Sequence, residues 1–518
     1  MKRVVFLTGG GSAGHVTPHL ALLPHLKALG VDIHYVGQAV SLSGQTDSPS
    51  YDGQTDGAAY GGQTNSPSYG GQTNSPSYGG QTDGAAYGGQ TNSPSYGGQT
   101  DGAAYGGQTN SPSYVIEWTL IAPTGLPYHG IDAGKFRRYF DLQNLTDLFR
   151  IAHGFWQSLR LVRRLRPTLL FSKGGFVTPP LVWATWLVGH LPPFLRGGWA
   201  GRIPIVIHES DMTPGLANRL CLPFADRVCY SFPETAEHLP PDKAVYTGIP
   251  IRESLLAGDP VTGRRLCGFP TTGRPIRQAQ GRPVRQAQGR PIRQAQGRRP
   301  CVLIMGGSQG AAAINRAVYA ALDELLALFN VCHICGTGTG EPVASVGRPR
   351  PTGERESPWH RSGDLAQRGG GETRSGDFAQ RAEASPNGRG RYKAFSYVGD
   401  ELAHLYAMAD VVVARAGATT LFELLALRKP ALLIPLSLGA SRGDQIQNAA
   451  SFARRGFSHV LAEADLTPTT LVQRLEQAYA EREAMVAAIS SRTTQAAQPI
   501  NGVEAVVRVI RDALRIEN

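Results

Sequence analysis

Short apolar runs along this chain repeatedly end in glycine, serine or threonine: VVFLTGG from Val4, VDIHYVG from Val31, TLLFSKGG from Thr168, IPIVIHES from Ile203, RVCYSF from Arg227 and AVYTG from Ala244. The second half repeats the pattern with CVLIMGGSQG from Cys301, VCHICGTG from Val331, DVVVARAGA from Asp410 and PALLIPLS from Pro430. Runs that are apolar at consecutive positions suit strands buried on both faces, and the helical stretches between them predict parallel sheets covered on each side. Two such series predict an α/β chain of two Rossmann-like domains, over 1–250 and 251–495, with a last helix in 496–518 packing back on the first. Ligands of such folds bind beyond the carboxyl ends of the strands, where this chain carries its glycines.

Three low-complexity tracts interrupt the series. The nonapeptide GGQTNSPSY and its variants fill Ser43 to Tyr114, GRPIRQAQ repeats with period eight from Gly273 to Gln296, and RSGDLAQR at 361 returns as RSGDFAQR at 374. Few large apolar residues occur in them, so they bury too little surface to offset the entropy of ordering. They are expected to be loop insertions at 43–114, about 261–300 and about 342–390.

The net charge of +11 invites a nucleic-acid reading, yet segment 261–300 holds ten arginines and no acid, and the remaining chain balances to +1. The basic balance is local, and no nucleic-acid partner is expected. The run Val4–Leu7 is shorter than a signal-peptide core, and LVWATWLV at 181–188 falls short of the roughly 20 residues that span a bilayer. Six scattered cysteines read as buried thiols rather than a disulfide framework. A cytoplasmic protein is expected.

Candidate chemistry lies at the strand ends. In TGGGSAGHVTPHL a glycine turn at Gly10, Gly11, Ser12, Ala13 and Gly14 leads into a helix whose amides favour an anion. His15 lies at that helix start, where the dipole favours a neutral imidazole able to act as a general base. The second strand, DIHYVGQ, ends without the acid that a dinucleotide ribose requires, and no Tyr-Lys pair supports an oxidoreductase. FSKGGFVTPP, with Gly174 and Gly175, and MGGSQGAAAINR, with Ser308, repeat the strand-turn-helix arrangement. Arg252 in TGIPIR is placed to neutralise a diphosphate. In ARAGATTLFE, Glu423 suits the two hydroxyls of a ribose or a helix-start cap. Gln445 and Asn448 of DQIQNAA offer amides to sugar hydroxyls.

These segments together resemble the MurG family of glycosyltransferases. GGGSAGHVTP is similar to GGTGGHxxP, GGSQGAAAIN to GGSQGAxxxN, ARAGATTLFE to RxGAxTxxE, DQIQNA to QxxNA, and IVIHESDMTPGLANRL to the family's HE-containing loop. The resemblance covers nearly all the chain outside the tracts. It implies a GT-B fold, two Rossmann-like domains facing across a cleft, and an inverting transfer of GlcNAc from UDP-GlcNAc to the 4-hydroxyl of lipid-linked muramoyl-pentapeptide. Carried over, the donor side comprises Ser12, Ala13, Gly14, Arg252, Ser308, Ala418, Thr419, Thr420, Leu421, Phe422, Glu423 and Gln445. The acceptor side comprises Gly10, Gly11, Gly174, Gly175, Glu209 and Asn218, with His15 as base and Glu209 or Asp211 as competitors. No cofactor or obligatory metal is implied. Departures from the pattern are Ser12-Ala13, Ile249, Asp211 and Ala312. Rival readings are transfer to another lipid acceptor and a non-catalytic UDP-sugar-binding protein.

A lipid acceptor implies an anionic membrane surface as partner, on the cytoplasmic face, with other cell-wall enzymes as further partners. Segment 135–167 interleaves Phe149, Phe155, Trp156 and Leu159 with Arg137, Arg138, Arg150, Arg160, Arg163 and Arg164. A basic helix with an aromatic face can lie on anionic lipid, each charge contributing about 1 kcal/mol. Trp186, Phe194 and Trp199 are candidates to extend the patch.

Overall fold

The computed structural model describes residues 3–39, 116–134, 143–192, 202–271, 299–306, 311–336, 390–438, 443–495 and 501–516. The nonapeptide array, the octapeptide repeats and the RSGD pair lie outside them, as do Arg137, Arg138, Phe194, Trp199 and Ser308.

Seven parallel strands form the first sheet: β1 (Val4–Thr8), β2 (Asp32–Gln38), β3 (Tyr128–Ile131), β4 (Leu169–Ser172), β5 (Ile205–Glu209), β6 (Arg227–Tyr230) and β7 (Ala244–Tyr246). Their order is β3-β2-β1-β4-β5-β6-β7. The second sheet has six: β8 (Cys301–Met305), β9 (Asn330–Ile334), β10 (Tyr392–Phe395), β11 (Val411–Ala414), β12 (Ala431–Leu433) and β13 (Ser458–Val460). They run β10-β9-β8-β11-β12-β13, again all parallel. Winding reverses between β1 and β4 and between β8 and β11, so each sheet opens a crevice at the carboxyl ends of those strands.

Alternation along β1 shows why these runs are apolar throughout. Val5 and Leu7 pack on one face with Val16, Leu22 and Leu26, while Phe6 packs on the other with Leu181 and Ile207. In β8, Cys301 and Leu303 face one core and Val302 and Ile304 another. The six cysteines are buried free thiols, Cys332 and Cys335 on and beside β9 among them.

Two crossings tie the halves together. The helix Val503–Ala513 buries Val503, Val506 and Ile510 against the first domain, at the i, i+3, i+7 spacing of one helical face. Just before it, Gly502 N–H donates to Ile249 O at 3.0 Å, and the Asn501 side chain bonds both Ile251 N–H and C=O, at 2.9 and 2.8 Å. Phe232, from the loop after β6, is fully buried in the second domain's core, edge-on to Phe422 at 5.3 Å. A side chain of that size contributes about 1.5–3 kcal/mol by its burial. Phe232 thus pins the β6–β7 connection to the second domain, although the chain returns to the first sheet at β7.

Candidate functional site

A cleft of about 900 Å³ runs between the carboxyl ends of the two sheets. It is lined on the first-domain side by Gly10 to His15, Lys173 to Gly175, Glu209 to Asp211 and Asn218, and opposite by Met305, Tyr397, Val398, Ala418, Thr419, Thr420, Glu423 and Gln445.

The two glycine turns of the first domain pack on each other. Gly10 N–H donates to Gly174 O at 3.2 Å, and a Cβ on Gly175 would stand 2.2 Å from Gly10 O. A Cβ on Gly10 would stand 2.3 Å from Glu117 Oε1. Glycine is thus demanded at 10 and 175 by protein packing, which corrects the expectation that ligand approach sets it. The Gly11 amide likewise donates to Glu117 Oε1 at 2.6 Å, so it is already committed and not an anion donor. Ser12 takes the N-cap of the helix Ala13–Ala28 without using its hydroxyl as a cap.

His15, in the first turn of that helix, places Nδ1 2.6 Å from Gly10 O. A carbonyl only accepts, so Nδ1 carries the proton and the ring's lone pair is on Nε2. This is the tautomer a general base needs.

Lys173 is fully buried at the end of β4, its Nζ 2.9 Å from His208 Nδ1 and bonded to Ser210 Oγ. Burial lowers it to about 8, against the charges of Glu209 and Asp211, which hold it up. Glu209 is buried and pushed up to about 7 by desolvation. Its carboxylate accepts from Asp211 N at 2.9 Å, Gly215 N at 3.2 Å and Asn218 Nδ2 at 2.7 Å. With those acceptor positions occupied, Glu209 shapes the 209–218 loop rather than competing as a base. Asn218 keeps its buried Oδ1 unpartnered beside the cleft.

On the other side, the helix Ala418–Ala426 turns Thr419, Thr420 and Glu423 to the cleft and Leu421 and Phe422 into the core, at 0% and 2% exposure. Successive residues advance by about 100° around a helix, so a contiguous motif divides between faces. The side chains of Leu421 and Phe422 are therefore withdrawn from donor contact. Tyr406 OH donates to Glu423 Oε2 at 3.1 Å, and burial pushes the Glu423 carboxyl up to about 7, opposed by Tyr406 and the charge of Arg252. Arg252 lies outside the cleft lining, at the N-cap of Glu253–Leu256, yet near enough for its charge to act on Glu423. Gln445 accepts from Leu436 N at 3.1 Å through its oxygen, leaving the NH₂ as its remaining donor group.

Asn448 is not a sugar reader. It is fully buried, donating to Asp211 Oδ1 at 2.9 Å and accepting from Met212 N at 3.1 Å. Asp211, in the cleft lining, is held by the same contact through Oδ1. The domains are further joined by Glu234 with Arg455 at 2.8 Å and Ser451 at 2.9 Å.

Sequence reasoning overlooked Lys173, Glu117 and the wall of Met305, Ile334, Tyr397, Val398 and Leu402. Lys173 stands inside FSKGG, where a lysine in an apolar strand end was a readable signal. Glu117 carried none, since the array separates it from the turn it holds.

The glycosyltransferase family 28 N-terminal domain matches residues 5–51 and 113–230, and the family's C-terminal domain matches 371–501. The interruption at 52–112 coincides with the nonapeptide array. The chain is 34% identical over 512 residues to the UDP-N-acetylglucosamine--N-acetylmuramyl-(pentapeptide) pyrophosphoryl-undecaprenol N-acetylglucosamine transferase of Lachnospira eligens, covering 99% of each. The protein of the same name from Geobacillus kaustophilus is 33% identical over 520 residues, covering 100% of each. Among solved structures, Acinetobacter baumannii MurG superposes with a TM-score of 0.55 at 19% identity, covering 99% of this chain and 100% of that one. At that identity the likeness speaks for the fold.

Proposed function

The chain belongs to glycosyltransferase family 28, and we infer from its full-length kinship with the N-acetylglucosamine transferases that it moves GlcNAc from UDP-GlcNAc to undecaprenyl-diphosphate-linked muramoyl-pentapeptide, making lipid II from lipid I in peptidoglycan synthesis. The observation that carries this reading is identity of 33–34% spread over whole chains of one named activity. A cleft lined by His15 on one side and by Thr419, Thr420 and Glu423 on the other supports it.

In the reaction the 4-hydroxyl oxygen of the muramoyl sugar bonds to C1 of GlcNAc as the bond from C1 to the diphosphate breaks. His15 Nε2 takes the hydroxyl proton, and UDP departs from the opposite face, inverting the anomeric centre. Glu423 receives the ribose hydroxyls, Gln445 donates to the sugar, and Met305, Val398 and Leu402 form an apolar wall suited to a nucleobase. The helix amides after Ser12 and, by the family resemblance, Ser308 meet the developing charge on UDP, and Arg252 acts on it through its charge from outside the lining. Removing one such group costs about 3 kcal/mol of barrier. Lys173 and the Gly174–Gly175 turn face the acceptor, where a buried cation suits its diphosphate.

The acceptor's lipid calls for a membrane-facing surface. In the helix Gln143–Leu165, Leu148, Phe149 and Trp156 are exposed beside Arg150, Arg160, Arg163 and Arg164. Phe155 and Leu159 pack inward, and Trp186 packs on Phe224, so the patch is narrower than the sequence suggested. Among the described residues no helix is long and apolar enough to cross a membrane. Peripheral attachment at the cytoplasmic face fits these features.

UDP release from UDP-GlcNAc should require a lipid I analogue, with diacylglycerol giving none. Release dependent on diacylglycerol instead would overturn the acceptor assignment.

A further inference from the structure

Glu117 stands beneath the first glycine turn with 1% of its surface exposed, two residues into the described chain after the array. Its Oε1 accepts from Gly11 N at 2.6 Å, and His15 Nδ1 donates to Gly10 O at 2.6 Å. Those two groups, the Gly11 N–H and the Gly10 C=O, are opposite ends of a single peptide unit. Amide resonance couples them, so a carboxylate drawing on the N–H increases the negative charge on the carbonyl oxygen and strengthens it as an acceptor.

We propose that Glu117 is a positioning residue that acts through the Gly10–Gly11 peptide on His15, fixing its tautomer and raising the basicity of Nε2. The arrangement is a carboxylate–peptide–imidazole relay. It rests on the reading of His15 as the base. During transfer the hydroxyl proton moves to Nε2 and the Nδ1 proton stays on His15; no proton passes to Glu117, which acts on the imidazolium by charge alone.

Other contacts hold the relay peptide in place. Gly10 N–H donates to Gly174 O at 3.2 Å and Tyr35 OH donates to Gly9 O at 2.5 Å, so the turn is anchored on both sides of the relay. The near-contact of Glu117 Oε1 with the missing Cβ of Gly10 explains why only glycine fits there. Burial disfavours a charge at Glu117 while leaving little water to screen one, and the 2.6 Å bond from Gly11 N–H favours the carboxylate there.

The other charged and titratable groups named around His15 act differently. His19, on the same helix, is lowered to about 3 by burial and is neutral. Lys173, after β4, is a cation that opposes an imidazolium. Tyr35 on β2 and Tyr128 on β3 are pushed up by burial and stay neutral. Across the cleft, the Ala418–Ala426 helix brings uncharged Thr419 and Glu423, the latter bonded to Tyr406.

Glu117→Gln keeps an acceptor for Gly11 N–H and removes the charge. In this variant the His15 ring, followed by NMR in the full chain, should titrate at least about half a pH unit lower, in the direction expected for a lost opposite charge. The acid limb of the kcat/KM profile should move with it and kcat should fall about tenfold, with UDP-GlcNAc KM within twofold. An unshifted His15 titration with kcat within twofold of wild type would overturn the relay. Should the variant fail to fold, the wild-type tautomer decides: Nδ1–H supports the relay and Nε2–H overturns it. His15→Gln separates the underlying reading. If it retains the rate and acid limb, His15 is not the base, whereas a His15 shift in Glu117→Gln would still establish the relay.

Discussion

Thr419 donates its hydroxyl across the cleft to Gly14 O at 3.2 Å, a carbonyl that the helix Ala13–Ala28 cannot satisfy in the usual way, because Pro18 stands four residues on and has no N–H. The proline inside the helix thus makes the bond between domains available. The same contact brings the Ala418–Ala426 helix against the turn that carries His15, the proposed base, so the two sides of the cleft are linked through one hydroxyl. Thr419→Val keeps the shape and removes the donor. It should lower kcat/KM several-fold, the equivalent of about 1 kcal/mol, with the melting temperature nearly unchanged, and Thr419→Ser should restore most of the rate. Steady-state kinetics of the two variants side by side check this.

The Asp211–Asn448 contact gives a second prediction. Asn448 uses its NH₂ on Asp211 and its oxygen on Met212 N, so the carboxylate in place of the family's frequent asparagine is an acceptor matched to that NH₂. Asp211→Asn retains an acceptor oxygen and should be tolerated. Asn448→Leu leaves Met212 N–H and Asp211 without their partner and should cost about 1–3 kcal/mol of stability. Urea unfolding of the single and double variants, read as a cycle, measures the coupling; strictly additive losses would show that the pair does not act together.

Donor affinity should depend on pH through Glu423. Burial raises its pKa to about 7, so the carboxylate proposed to accept the ribose hydroxyls is present above that value and is lost below it. UDP-GlcNAc affinity should be full near pH 8 and fall by about tenfold per unit well below 7. Stability runs the opposite way. Because the folded value exceeds the ordinary 4.5, the buried charge costs folding free energy above pH 7, and that cost is relieved as pH falls. Calorimetric titration of wild type and Glu423→Gln across pH 5.5–8.5, a range of about three units around the shifted value, separates the two. The variant should bind weakly with no slope.

How much of this was readable before the structure depended on whether each residue's neighbours were local. The ten strands named from sequence all occur, and central ones such as β1, β5, β8 and β11 are apolar along their length because both faces are covered. The edge strands β3, β10 and β13 are not among the ten: each is only three or four residues long, and β10 and β13 are also half-exposed, so length does not mark any of them and hydrophobicity does not mark the last two. At the site, motif contiguity over-reached at Leu421 and Phe422, where helical rotation buries the side chains. It under-reached at Glu117, whose partner Gly11 lies 106 residues away along the chain. Asn448 and Asp211 read as ligand groups because the interface that occupies them is formed by two domains.

The exposed patch of the Gln143–Leu165 helix makes membrane attachment testable without touching the cleft. Phe149 is 70% and Trp156 49% exposed, and Arg160 lies over the Trp156 ring at 5.2 Å. Replacing both aromatics by serine removes apolar surface that the core does not use. Flotation with vesicles containing anionic lipid should drop by several-fold while UDP-GlcNAc binding stays constant. Equal flotation would mean that the membrane contact lies elsewhere.

Deleting Ser43 to Tyr114 tests whether the array is an insertion or a part of the machine. On the upstream side Ala39 N–H donates to Ile131 O at 2.9 Å, fastening the chain to β3. Downstream, the helix Ile116–Ile121 buries Ile121 in the first core and Glu117 under the glycine turn. Both ends are therefore anchored by contacts that do not involve the array. Loop-closure entropy grows only logarithmically, so carrying about 70 extra residues costs roughly 2 kcal/mol, and their removal should leave stability equal or higher. UDP-GlcNAc affinity should remain within a few-fold, since most of the proposed donor side lies in the other domain. The sensitive quantity is kcat: a joint too short for the anchors would pull Glu117 off Gly11 N–H and slow transfer without weakening donor binding. Restoring kcat with a flexible Gly-Ser linker would assign that loss to the anchor. A deletion that does not fold, or one that loses donor binding, would show that the array belongs to the structure.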